Sequence, residues 1–132
     1  MASYTADAVA LLSYLVDALP NEADRVFADA EAGETIIEAP STALAETLYS
    51  VSRDKDVRGV TLAGAPEDAR QALLTDGPVS VAPIDDGELA EYAAVVGNFS
   101  IHDGLVVASH CASGTDAILT SDGAIHESNF ET

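Results

Sequence analysis

Four acidic residues stand where chemistry is possible: Asp7, Glu46, Asp103 and Asp122. Asp7 follows a short strand-like run from Ser3 to Ala6, and Asp122 follows the apolar "AILT". Asp103 falls in the first turn of the helical stretch "SIHDGLVVASH", and Glu46 one turn into a helix that opens at Ser41. In open parallel sheets, sites form beyond the carboxyl ends of the strands, which is where strand-following and helix-opening acids collect. Carboxylates gathered there raise one another's pKa or require a cation, and hard Mg2+ or Mn2+ matches oxygen donors. A cation so held activates water for attack on a phosphodiester. The chemistry these four positions allow is that of a metal-dependent nuclease.

Each acid also has a purely structural reading. Asp7 caps the helix that follows it. Ser100 and Asp103 match the S-x-x-[DE] capping box. Asp122 precedes Gly123 and suits a turn. Glu46 lies opposite Leu44, Leu48 and Val51 on a helical wheel, which reads as a solvated face. Spacing alone leaves both readings of each residue open.

Other chemistries are poorly supported. His102, His110, Cys111 and His126 lack zinc-chelating spacing. Ser13, Ser50 and Ser109 sit in no nucleophile elbow, and no G-x-x-x-x-G-K-[ST] loop is present to hold a nucleotide. A phosphoryl-accepting receiver module needs a lysine after its last strand, and the only lysine is Lys55.

The elements that must position these acids alternate. A strand, Ser3 to Ala6, leads into a helix with Val9, Leu12, Leu15, Val16 and Leu19 at helical spacing, ended by Pro20. Asn21 caps a helix from Glu22 to Ala32 that Gly33 closes; "TIIEAP" is a β-branched strand; a third helix runs from Ser41 to about Asp54. The stretch "RDKDVRGVTLAGAP" is irregular and links the halves of the fold or lies over the site's edge. Next come a helix in "APEDARQALLTDG" with Gly77 as its stop, a strand in "PVSVAPI" and a helix in "DDGELAEYAAVVG". The last helix carries a seam of Ile101, Leu105, Ala108 and Ala112, ends at Gly114, and precedes a short buried strand and turn in "DAILTSD". This alternation predicts an α/β fold, a three-layer α/β/α domain with a mainly parallel central sheet, spanning residues 1–132 as one unit.

Composition constrains the setting. The 132 residues are 48% hydrophobic, enough for one core. Against 23 acidic residues stand only 5 basic ones, a net charge of −18, with the acids scattered along the whole chain. Such a body repels itself unless salt shortens the screening length to roughly 3 Å near 1 M, so the reading is a protein of a halophile's cytoplasm. One cysteine, Cys111, forms no internal disulfide. The N-terminus lacks a signal-peptide pattern, and no apolar run reaches the roughly 18 residues of a membrane span, so no membrane partner is expected.

The succession "YTADAVALLSYL", "PSTALAETLYSV", "SIHDGLVVASH" and "AILTSDGAI" resembles the PIN-domain nucleases, most closely the VapC-like toxins of toxin–antitoxin pairs. The likeness runs from about Ser3 to Glu127. It implies a small α/β/α fold whose acids meet at the sheet edge to bind Mg2+ or Mn2+ and cleave RNA. On matching positions, Asp7 is the strand-one acid, Glu46 the acid of "AETLY", Asp103 that of "IHDGLVVA" and Asp122 that of "LTSD", with Thr120 a supporting hydroxyl. The resemblance further implies an RNA substrate, an antitoxin partner and a homodimer. One position departs: two residues after the first acid, where such proteins often carry Ser or Asn, stands Val9. That departure, with so few basic residues, supports the alternative of a PIN-like protein-binding module without catalysis.

Overall fold

In the computed structural model, residues 1–57, 59–62 and 64–120 are described in full and residues 123–126 by their backbone. The elements follow the order β1 (Ala2–Ala6), α1 (Ala8–Leu15), α2 (Asn21–Glu31), β2 (Thr35–Pro40), α3 (Ser41–Ser52), β3 (Asp56–Val57), β4 (Val60–Thr61), α4 (Pro66–Arg70), β5 (Val79–Ala82), α5 (Asp86–Val95), α6 (Ile101–Ser113), β6 (Ala117–Thr120) and β7 (Gly123–His126). A π-helical turn, Gln71–Thr75, continues α4.

The central sheet has the strand order β5-β2-β1-β6-β7. The pairs β1–β2, β1–β6 and β2–β5 are parallel, and β7 closes the edge antiparallel to β6. Alternation along the strands sorts side chains to two faces. Ala6, Ile37, Ala39, Val79 and Leu119 join Leu11, Phe27 and Leu44 in the larger core, so α1, α2 and α3 cover that face. On the other face Ile118 packs with Val106 and Val107 of α6 and Val95 of α5. This is the mainly parallel three-layer α/β/α arrangement the alternation of elements predicts.

The first helix is shorter than its apolar spacing suggests. It ends at Leu15 rather than at Pro20, because the chain turns through Asp17 at a φ of 55° and Ala18 donates back to the Ser13 carbonyl. Leu19 still packs against the core from outside the helix. Likewise α2 begins at Asn21, with Pro20 as its cap, and α3 stops at Ser52 before Asp54 reverses at a φ of 51°.

The stretch that read as irregular forms the small antiparallel hairpin β3–β4. Its Val57, with Leu62, packs against Leu12, Val51 and Ala69 in a satellite cluster, so two apolar residues fix a segment otherwise rich in charge. The strand β7 lies just beyond the strand and turn expected in "DAILTSD" and pairs antiparallel with β6.

Candidate active site

The parallel strands β1, β2 and β6 all finish at one edge of the sheet. The chain leaves β1 and β2 into α1 and α3 on one face, whereas α6 enters β6 from the other. The crevice between the ends of β1 and β6 therefore lies where helices diverge to opposite faces, the usual place for a site in such sheets.

Asp7 sits at the end of β1. Its N–H donates to the Leu119 carbonyl of β6 at 3.1 Å, holding the residue in the ladder, and its own carbonyl accepts the first bond of α1 from Leu11 at 3.2 Å. The carboxylate accepts the Ala10 N–H at 2.8 Å, so Asp7 does cap α1. The capped group faces a pocket of about 340 Å³, open solvent included, lined by Asp7, Val9, Thr42, Glu46, His102 and Asp103 among others. Burial pushes its pKa up to about 6, the Ala10 N–H pulls it down, and the charges of Asp103 and Glu46 raise it further. The three carboxylates are thus near enough to repel.

Glu46 reaches this pocket from α3. Glu46 keeps 39% of its side chain exposed, as the wheel indicates, but with Thr42 and Ala43 it lines the pocket, while Leu44 and Val51 go to the cores. A helical wheel records where apolar residues are, not that an acid beside them will meet another acid from a different element. Its Oε1 lies 3.5 Å from His102 Nδ1. His102, which has no zinc-chelating spacing, is nonetheless a pocket residue, and its place next to Asp103 is the one signal of it in the sequence.

Asp103 enters from α6. Ser100 is the N-cap, accepting the Asp103 N–H at 3.2 Å, so the capping reading describes the backbone of this turn. The carboxylate faces the pocket, at a helix start whose partial positive charge favours the ionised form. Asp103 also lines a second cavity, about 640 Å³ with its open mouth, together with Asp7, Phe99, Val106 and Thr120. Thr120, at the end of β6, therefore stands on the same edge as both acids. Asp122 lies outside the described residues.

Two features fix where α6 presents Asp103. Gly104 allows α5 to approach: a Cβ there would lie 2.9 Å from Tyr92 Cε1. Deeper along the helix, His110 Nδ1 is 2.7 Å from Thr115 Oγ1, which is 2.7 Å from Thr5 Oγ1 on β1, and all three are buried. This polar chain sets how far α6 slides along the sheet. The sequence gives it one faint mark, a threonine inside the apolar alternation of β1.

No protein-family model and no curated protein matches the sequence. Solved structures do match. A chain of VapBC2 from Rickettsia felis, solved bound to a DNA fragment from its promoter, superposes with a TM-score of 0.66 at 14% identity, covering 89% of this chain and 86% of that one. VapC20 from Mycobacterium tuberculosis, a toxin that cleaves the sarcin-ricin loop, superposes with a TM-score of 0.59 at 19% identity, covering 90% and 88%. The chain shares the fold of these two proteins. At these identities the likeness is one of architecture, and it matches the mixed α/β, mainly parallel reading of the sequence.

Within this fold, Asp7, Glu46 and Asp103 converge from β1, α3 and α6 on one pocket. Among the described residues no three acids or histidines close to the spacing of a ready-made metal cluster. The arrangement is a shared acidic pocket with room for solvent between its carboxylates.

Proposed function

We propose that the chain is a metal-dependent endoribonuclease, the toxin of a toxin–antitoxin pair, hydrolysing RNA phosphodiester bonds at the Asp7–Glu46–Asp103 pocket. The observation that carries this reading is the convergence of those three carboxylates from separate elements, with Asp7 held partly protonated near pH 6 by burial and by its neighbours. Like charges forced together in this way call for a cation. The fold shared with a toxin that cleaves the sarcin-ricin loop supports the substrate class.

Hard oxygen donors suit Mg2+ or Mn2+, and Mg2+ keeps several of its waters while taking one or two carboxylates directly, so an open donor set fits it. Asp7, Glu46 and Asp103 would hold the ion, with Asp122 as a fourth acid and Thr120 as a supporting hydroxyl. The ion supplies activation of water and positive charge for the scissile phosphate. The chain's own part is orientation. Asp7 is fixed by the Leu119 and Ala10 bonds, Asp103 by the Ser100 cap, and His102 stands beside Glu46 to steady it.

In the same reading a small antitoxin neutralises the protein, which works as a homodimer in a cytoplasm of high salt. Among the described residues no helix is long and apolar enough to cross a membrane. The direct test is digestion of RNA with Mg2+ or Mn2+ in concentrated KCl. Asp103→Asn should abolish cleavage, by about a hundredfold or more, while the circular dichroism spectrum and melting transition persist. Full activity of this variant, or cleavage untouched by chelator, would remove the proposal.

A second reading, a PIN-like module that binds protein without cleaving RNA, is favoured by Val9, which is half exposed on the pocket wall where related toxins often carry Ser or Asn. Val9→Ser distinguishes the two: cleavage that appears only in the variant identifies the parent as the silent module.

A further inference from the structure

Only five basic residues offset the acids, and three of them, Arg53, Lys55 and Arg58, fall within six positions. Arg58 lies outside the described residues. The other two line a groove of about 840 Å³, open solvent included, with Glu46, Tyr49, Ser50 and His102. Glu46 and His102 belong to the acidic pocket as well, so the groove continues directly from it. Along α3 the positions 46, 49 and 50 form one stripe that runs on to the C-cap Arg53, a path of about 10 Å from the acid.

The chemistry of this stripe changes along its length. It begins at carboxylates and ends in cations around an aromatic ring. Tyr49 is 64% exposed, unusual for a large ring with no packing role, and Arg53 Cζ sits 5.9 Å from its centroid. Among the described residues Arg70 pairs with Glu67, and His102 Nδ1 lies 3.5 Å from Glu46 Oε1. Arg70 is therefore occupied, whereas Arg53 and Lys55 keep their charge facing the groove.

We infer that the Tyr49–Arg53–Lys55 groove is a binding subsite for single-stranded RNA, in which an unpaired base stacks on Tyr49 and the adjoining phosphate is held by Arg53 and Lys55. An exposed ring with a guanidinium at its face is a stacking platform, and nearby cations follow the backbone. A duplex keeps its bases stacked on one another and has none to offer the ring. Placement beside the acids directs the neighbouring phosphodiester into the pocket. The inference deepens the nuclease reading and rests on it for the strand's orientation, but binding at the groove is measurable without cleavage.

The test uses the full chain carrying Asp103→Asn, with a labelled oligouridylate, by fluorescence anisotropy across a KCl series. Tyr49→Ala should weaken binding about tenfold, and Tyr49→Phe should restore it, because the stack needs the ring and not the hydroxyl. Arg53→Ala and Lys55→Ala should each shift the slope of log K against log salt by about 0.7 relative to the parent. Arg25→Ala, on α2, should change nothing. Equal affinity for the parent, Tyr49→Ala and Arg53→Ala would overturn the proposal, as would tighter binding of duplex RNA. Capture of polyglutamate through the same three side chains would also overturn it, since the groove would then serve an acidic protein segment. Absence of cleavage by the unsubstituted chain, with oligouridylate binding intact, would sink the nuclease reading alone.

Discussion

Two buried or partly buried carboxyls carry opposite meanings. Asp7 has its proton held to about pH 6 by burial and by the facing acids, a cost that a cation would offset. Glu88 is 2% exposed in α5, its Oε1 is 3.4 Å from Ser109 Oγ, and its Oε2 has no hydrogen-bond partner among the described residues. Its pKa is raised by burial, opposed by the Ser109 bond, and raised further by Asp85 and Glu38. For an acid whose folded pKa is raised, the folded state holds more protons than the unfolded chain, so stability falls as pH rises from the unfolded value through the folded one. Metal-free protein should accordingly lose stability between about pH 4 and pH 6. Asp7→Asn, which keeps a cap acceptor, should recover about 2 kcal/mol at pH 7 and flatten that slope while abolishing cleavage. Urea denaturation at several pH values checks this, and a steeper slope in the variant would contradict it. Glu88→Gln should stabilise the protein with cleavage unchanged, because it removes the desolvation of a buried carboxyl and can keep the Ser109 contact.

At the level of elements, the helices were legible from caps and breakers and the small strands were not. Ser100 and Gly114 mark the ends of α6 as their types suggest. The hairpin β3–β4 and the strand β7 depend on partners distant in sequence, so a local pattern of two to four residues carried no sign of them. The same holds for the end of α1, where a left-handed Asp17 overrides an apolar seam that continues to Leu19. The π-helical turn supplies a test of its own. Gly77 lies so close beneath it that a Cβ would fall 1.9 Å from the Ala72 carbonyl oxygen. Gly77→Ala should therefore cost about 2–3 kcal/mol, as overpacking against backbone does, and lower the melting temperature by several degrees. An unchanged transition would show that the turn re-forms as ordinary α-helix.

For the molecule entire, charge is the dominant fact. A body of this size with a net charge of −18 repels itself and repels RNA in dilute buffer. At about 1 M salt the screening length is roughly 3 Å, long-range repulsion disappears, and contacts as short as those of the pocket and groove can act. Both the melting temperature and RNA cleavage should rise from dilute buffer toward molar KCl. Activity that peaks in dilute buffer would contradict the high-salt reading.

The alternation of strands and helices, the parallel sheet and the candidate acids are properties of local order. Periodicity, caps and breakers act over a few residues, and they are written in the chain from Asp7 to Thr120 without reference to anything distant. Meeting is a different matter. Whether Glu46 faced solvent or Asp7, whether Asp103 was a cap or a pocket wall, and whether His110 reached Thr5 through Thr115 depended on how α3 and α6 pack on opposite faces of one sheet. Those choices are made by burial summed over the whole core, so only the folded chain could decide that the cap and the pocket wall are the same residue.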